Sequence, residues 1–161
     1  MKFLADAMLG RLAKWLRILG YDASYLPSSR PEGLVQKARA EGRVILTRNR
    51  QLAKQSPGLR ILLIESDCWR EQLAQVLRSC RLRPGKSRFQ RCVLCNQRLV
   101  ALGREDAEGK VPDFVFVHFS DFFQCPRCGR IFWQGSHSSA MNRIAEELGG
   151  TPPARKGERA L

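Results

Sequence analysis

Two Cys-x-x-Cys pairs constrain this chain more than any other feature. They are Cys92-Val93-Leu94-Cys95 and Cys125-Pro126-Arg127-Cys128, with 29 residues between them. Each pair can form a tight knuckle presenting two thiolates, and two knuckles complete a tetrahedral four-cysteine zinc site. Asn96 follows the first pair and Gly129 the second, where the chain must turn back. Disulfides and a redox dithiol fit poorly with two such pairs in a basic chain read as intracellular. Four thiolates leave no open position for water, so the zinc is expected to be structural. A ribbon with so small a core is expected to need that ion in order to fold. Between the pairs, FVFVHF (114–119) and FFQC (122–125) read as strands of a small sheet. Cys68 and Cys80 fit no metal spacing and read as ordinary helix residues. His118 falls in the alternating segment and His137 in GSH, just before a helix. Hydrogen bonding or capping suits both histidines better than ligation, although His137 stands close to Trp133 and the basic ribbon.

The first half of the chain has a different grammar. KFLA (2–5) reads as a short apolar strand entering Asp6. Leu9, Leu12, Ala13, Leu16 and Leu19 then recur at helical spacing, predicting a helix over 8–19 that Gly20 ends. The pattern repeats with a strand over 23–26, a helix over 33–41, a strand over 43–47 and a short helix or turn over 49–55. A strand over 60–64 and an amphipathic helix over 69–80 complete it. RILLI (60–64) is almost wholly apolar, the kind of strand expected to be covered on both faces. Strand–helix alternation predicts an α/β fold with a parallel sheet wrapped by helices. Right-handed crossovers would place every strand's C-terminal end on one edge. Asp6, Asn49 and Asp67 each lie at or just past such an end, so they could gather there.

Charge suggests the partner. The 161 residues carry a formal net charge of +13. Residues 1–85 hold 16 Lys and Arg against seven Asp and Glu, whereas residues 86–161 hold 12 against eight. Such an excess suits a polyanion, and nucleic acid is the usual one. Arg11, Lys14 and Arg17 follow at three-residue steps and share a helix face with Trp15 nearby. Two readings of that face stay open: a solvated polar surface with a packed tryptophan, or a surface facing RNA. No stretch offers the roughly 20 consecutive apolar residues that cross a membrane. MKFLADAMLGR, broken by Asp6 and Arg11, does not read as a secretory signal, and a cytoplasmic protein is expected.

Taken in order, FLADAMLGRLAKWLRILGY, the EGRVILTRN strand, SD–EQL, RC–LCN and CPRCGRIFWQGSH resemble the Mut7-C RNase domain family over roughly residues 1–148. The resemblance implies a PIN-like nuclease fold with an attached zinc ribbon, cutting single-stranded RNA with Mg²⁺ or Mn²⁺ held by carboxylates. Asp6 matches the family's first-strand Asp, and Asp67 an acidic residue after the third core strand. The family's LTRD is here Leu46-Thr47-Arg48-Asn49, and its helix-opening Asp falls in Arg30-Pro31-Glu32-Gly33, with Glu32 nearby. An amide can ligate through its carbonyl oxygen but brings no charge, so Mg²⁺ affinity should fall.

The expected organisation is a PIN-like RNase domain over 1–83, a linker over 84–90, a zinc ribbon with a last helix over 91–148, and a disordered tail over 149–161. The expected chemistry is a Mg²⁺- or Mn²⁺-dependent endoribonuclease, with Asp6, Glu32, Asn49 and Asp67 at its centre. Arg11, Lys14, Arg48 and Arg50 would hold phosphates. Cys92, Cys95, Cys125 and Cys128 would hold structural zinc. Two alternatives accompany it: an inactive nuclease-derived RNA-binding protein, and an adaptor toward the ribosome or an RNA-processing complex.

Overall fold

The computed structural model describes residues 1–28, 30–83 and 89–135, with positions 141, 143, 144, 146 and 147 beyond them. His137, most of the expected linker and the tail lie outside the described residues, as does most of the helix expected over 138–148.

Four parallel strands form the first sheet, in the order β2-β1-β3-β4. They are β1 (Lys2–Ala5), β2 (Asp22–Tyr25), β3 (Val44–Thr47) and β4 (Ile61–Leu63). Between and after them run α1 (Gly10–Ile18), α2 (Pro31–Glu41), α3 (Arg50–Gln55) and α4 (Trp69–Ser79). Alternation along the strands builds two cores. Phe3, Ala5, Val44 and Leu46 pack with Leu9 just before α1, Leu12 and Leu16 of α1, and Leu73 and Val76 of α4. Leu4 and Ile45 point to the other face and pack with Leu34, Ala38 and Leu52 of α2 and α3. A strand buried on both faces must be apolar at consecutive positions, which is why FLA and VIL carry no polar residue.

RILLI (60–64) meets both cores, as its apolar run predicts. Ile61 lies against the core of α2 and α3, and Leu62 and Ile64 against that of α1 and α4. β4 is the sheet's edge, however, so Ile61, Leu62 and Leu63 are only partly buried, and the fully buried strand interiors are those of β1 and β3.

The second sheet is antiparallel, in the order β5-β6-β7, from β5 (Val100–Leu102), β6 (Phe122–Gln124) and β7 (Ile131–Trp133). Between β5 and β6 lie two short helices, α5 (Arg104–Ala107) and α6 (Asp113–His118). FVFVHF is therefore helical rather than a strand, and His118 ends a helix. Pro112 sets the entry, and Asp113 complements the positive end of the first turn. The inward residues Val115, Phe116 and Phe119 follow helical spacing against Phe122 and Ala107, leaving Phe114 and Val117 exposed. The period-two alternation reflects composition rather than burial. FFQ, by contrast, is strand β6 as expected. No helix among the described residues is long and apolar enough to cross a membrane.

Candidate active site and metal centre

Parallel pairing carries the strand ends to one edge. β1 and β3 pair with Ala5 beside Leu46, so the next residues, Asp6 and Thr47, are neighbours. The Asp6 amide continues the ladder to Leu46 O at 3.1 Å. Asp6 is 9% exposed, and its carboxylate is held on both oxygens. Oδ1 accepts from the Met8 amide at 3.1 Å, capping the 3-10 turn Ala7–Leu9. Oδ2 accepts from Thr47 Oγ1 at 2.5 Å and, more distantly, from the Arg48 amide at 3.4 Å. Tyr25, at the end of β2, steadies the same turn by donating to Ala7 O at 2.9 Å. Gly10 makes room for that ring, since a Cβ there would lie 3.0 Å from Tyr25 Cζ.

Thr47 has no counterpart among the residues expected from the sequence. It is fully buried, and its hydroxyl both donates to Asp6 and accepts from the Asn49 amide at 3.0 Å. The signal for it lies in the parallel register, which puts the residue after Ala5 beside the residue after Leu46.

Asn49 is the N-cap of α3. Its Oδ1 accepts from the Gln51 and Leu52 amides at 2.9 and 3.1 Å. Asn is among the best N-caps, because its short side chain reaches the orphan amides of the first turn. The carbonyl oxygen that a metal would use already receives two N–H groups. Asp67 is highly exposed and forms an ion pair with the Arg48 guanidinium. Arg48 thus meets Asp6 through its amide and Asp67 through its side chain. Arg48 and Arg50 line a small cavity of about 90 Å³ with Leu63, Ile64 and Glu65. Glu32 stands exposed in the first turn of α2, with no hydrogen bond or ion pair among the described residues. Arg11 and Lys14 are exposed on α1. Asp6, Glu32 and Asp67 do not converge as three. Among the described residues, the sole set of three or more His, Cys, Asp or Glu ligand atoms within 4.8 Å of one another is Cys92, Cys95, Cys125 and Cys128.

That set fits zinc. Zn–S bonds of about 2.3 Å at tetrahedral angles separate sulfurs by roughly 3.8 Å, and Cys92 Sγ lies 3.8 Å from Cys128 Sγ. The knuckles are built alike. Asn96 and Gly129 take positive φ of 64° and 71°, and their amides return to Cys92 O and Cys125 O at 2.9 Å each. Four thiols this close compete for protons. The Arg130 amide draws Cys128 down to about 7, while the hydrogen bond with Cys128 holds Cys95 up to about 12. A zinc ion accepting all four as thiolates removes that conflict, with release of protons.

The first knuckle seals the edge of the parallel sheet. β2 is the outer strand, and the outward backbone groups of Ala23 need partners. Asn96 Oδ1 accepts from Ala23 N at 3.0 Å, and Arg17 Nε donates to Ala23 O at 2.7 Å. Arg17 also donates to Val93 O and Leu94 O at 2.8 and 2.9 Å. Arg17 is 6% exposed, so it leaves the surface face that its spacing suggested. Burial lowers its pKa, and negative charge on Cys92 and Cys95 opposes that shift. Asp22 joins the junction, accepting from Arg43 at 2.5 Å and from Asn96 Nδ2 at 2.8 Å. Burial works against its ionisation, but the hydrogen bonds from Arg43 and Asn96 outweigh this and hold its pKa below the ordinary value.

Searches of curated proteins and of solved structures returned no match. The family model described as the Mut7-C RNAse domain matches residues 1–145, spanning the parallel sheet, the knuckles and the second sheet together. With nearly the whole chain inside that match, the protein belongs to the Mut7-C RNAse domain family.

Proposed function

We propose that this protein is a metal-dependent endoribonuclease whose centre is built around Asp6. The observation that carries the reading is the Asp6 carboxylate, buried at the C-terminal edge of a parallel sheet and hydrogen-bonded through both oxygens, in a chain of an RNase family. Buried carboxylates are costly unless they are paired or hydrogen-bonded, and edges of this kind are where α/β proteins bind ligands.

Asp6 and Asp67 offer the hard oxygen donors that Mg²⁺ and Mn²⁺ prefer, and Glu32 is a third carboxylate without a partner among the described residues. Such an ion supplies charge neutralisation at the phosphodiester and activation of water. Thr47 orients Asp6. Arg48 balances Asp67 in the absence of a cation, and with Arg50 it offers guanidinium groups to the phosphates of a bound strand. Asn49 positions the Arg48–Arg50 loop by capping α3.

A second reading is an RNA-binding protein without catalysis. The capping role of Asn49 favours it, because the carbonyl oxygen is engaged by two amides. The deciding experiment incubates labelled single-stranded RNA with purified, zinc-loaded protein with and without added Mn²⁺ or Mg²⁺, alongside Asp6→Asn. Internal cleavage that requires the added ion and that the substitution abolishes is expected. Binding without cleavage would establish the second reading, and absence of binding would overturn both.

A further inference from the structure

We propose that the stacked indoles of Trp15 and Trp69 form a binding subsite for an unpaired nucleobase, beside the edge that carries Asp6 and Asp67. The inference deepens the RNA reading and rests on it, but not on catalysis.

The two rings lie 4.6 Å apart between centroids, with 8° between their planes. Trp69 opens α4 two residues after Asp67, and α1, which carries Trp15, begins directly after the turn capped by Asp6. Both indoles are only partly buried. Two cations stack over the same ring: Arg11 Cζ lies 5.0 Å and Arg70 Cζ 4.6 Å from the Trp69 centroid. Lys14 is exposed one residue before Trp15. Arg11, Lys14 and Arg70 form no ion pair among the described residues.

Packing against the core accounts for the buried portions of the indoles. It does not account for two cations, neither in an ion pair among the described residues, stacked over the Trp69 ring. Like charges held together gain when an anion arrives, and a phosphodiester backbone brings one charge per nucleotide. The indole meanwhile gives a base a flat π-surface, which a guanidinium can extend or yield. A base can reach such a surface only when unpaired, so the fitting partner is single-stranded RNA. Double-stranded RNA would meet the cations alone.

The test uses the full chain with its zinc and one oligoribonucleotide, presented single-stranded and as its own duplex, with no Mg²⁺ or Mn²⁺ added so that no cleavage intervenes. Trp69→Ala should weaken single-strand binding roughly tenfold, leave duplex binding unchanged and keep the salt slope. Trp69→Phe should restore most of the loss, which a general unfolding would not allow. Arg70→Gln should instead flatten the salt slope by about one phosphate contact. Unchanged single-strand affinity in Trp69→Ala would overturn the proposal, as would equal losses for single strand and duplex. The Mn²⁺ cleavage assay separates the two readings. A Trp69-dependent binder that does not cut leaves the subsite standing and removes the nuclease, whereas a cutter indifferent to Trp69 does the reverse.

Discussion

Thr47 donates its hydroxyl to Asp6 Oδ2 at 2.5 Å and accepts the Asn49 amide at 3.0 Å, so one buried hydroxyl connects the carboxylate to the helix cap beside it. Thr47→Val keeps the shape and removes both bonds, leaving a buried amide without its partner. A stability loss of about 1–3 kcal/mol is expected, with cleavage falling more steeply than RNA binding because Asp6 loses its orientation. Denaturant melts and binding titrations on the same preparation check this. Equal loss of binding and cleavage would show that Thr47 acts on the fold alone.

Asn49→Asp should be tolerated by the fold. Asp caps helices about as well as Asn, and its charge suits the N-terminal end of α3. One oxygen would keep the bonds to Gln51 and Leu52, and the other would replace the amide nitrogen with a charged acceptor. Tighter Mn²⁺ binding and about tenfold faster cleavage are expected, worth about 1.4 kcal/mol. Adding Asp6→Asn should erase the gain if the two groups act on one ion. Cleavage time courses at several Mn²⁺ concentrations read both effects. Asn49→Ala should cost about 1 kcal/mol through loss of the cap.

Zinc should bind at one ion per chain, and Cys125→Ser should remove it; elemental analysis measures both. Loss of the ion should unfold the ribbon while leaving the parallel sheet formed but with an exposed edge. Ala23 reports on that edge, because its amide is bonded to Asn96 beside the first knuckle. Faster hydrogen exchange at Ala23 after chelation is expected, and unchanged exchange would mean that the knuckle docks without the ion. Arg17→Ala should destabilise the whole chain by about 2–3 kcal/mol, since the buried carbonyl of Ala23 and the partly buried carbonyls of Val93 and Leu94 lose a charged donor.

Asp22 sets an acid limit on the same junction. Its carboxyl titrates below the ordinary 3.8 in the folded chain. Its contribution is therefore complete above that value and is lost as pH falls through the lower folded one. Asp22→Asn should be less stable than wild type at pH 7, and the gap should close below about pH 4. Urea midpoints for both proteins across pH 7 to 3 test this, and a constant gap would assign the effect to packing rather than charge.

What the sequence alone determined was local. Knuckle spacing, the turn residues Asn96 and Gly129, and the alternation of apolar strands with helical periods depend on neighbours within a few residues. The ion geometry and the parallel α/β sheet are therefore legible in the residue order itself. The parallel register also contained the Asp6–Thr47 pairing, one residue beyond what periodicity displays. Tertiary structure decided the rest. Arg17 sits in sequence like a surface arginine, yet it is buried because an edge strand and a knuckle 76 residues away both need a donor there. FVFVHF alternates like a strand, yet Pro112 and the position of Phe122 make it a helix. Among the described residues, Asp67 meets the edge that carries Asp6 through Arg48, and Trp69 meets Trp15 because α1 and α4 pack on one face of the sheet. In each case the chain supplies a side chain compatible with two environments, and the desolvation of distant backbone groups and apolar surfaces selects one.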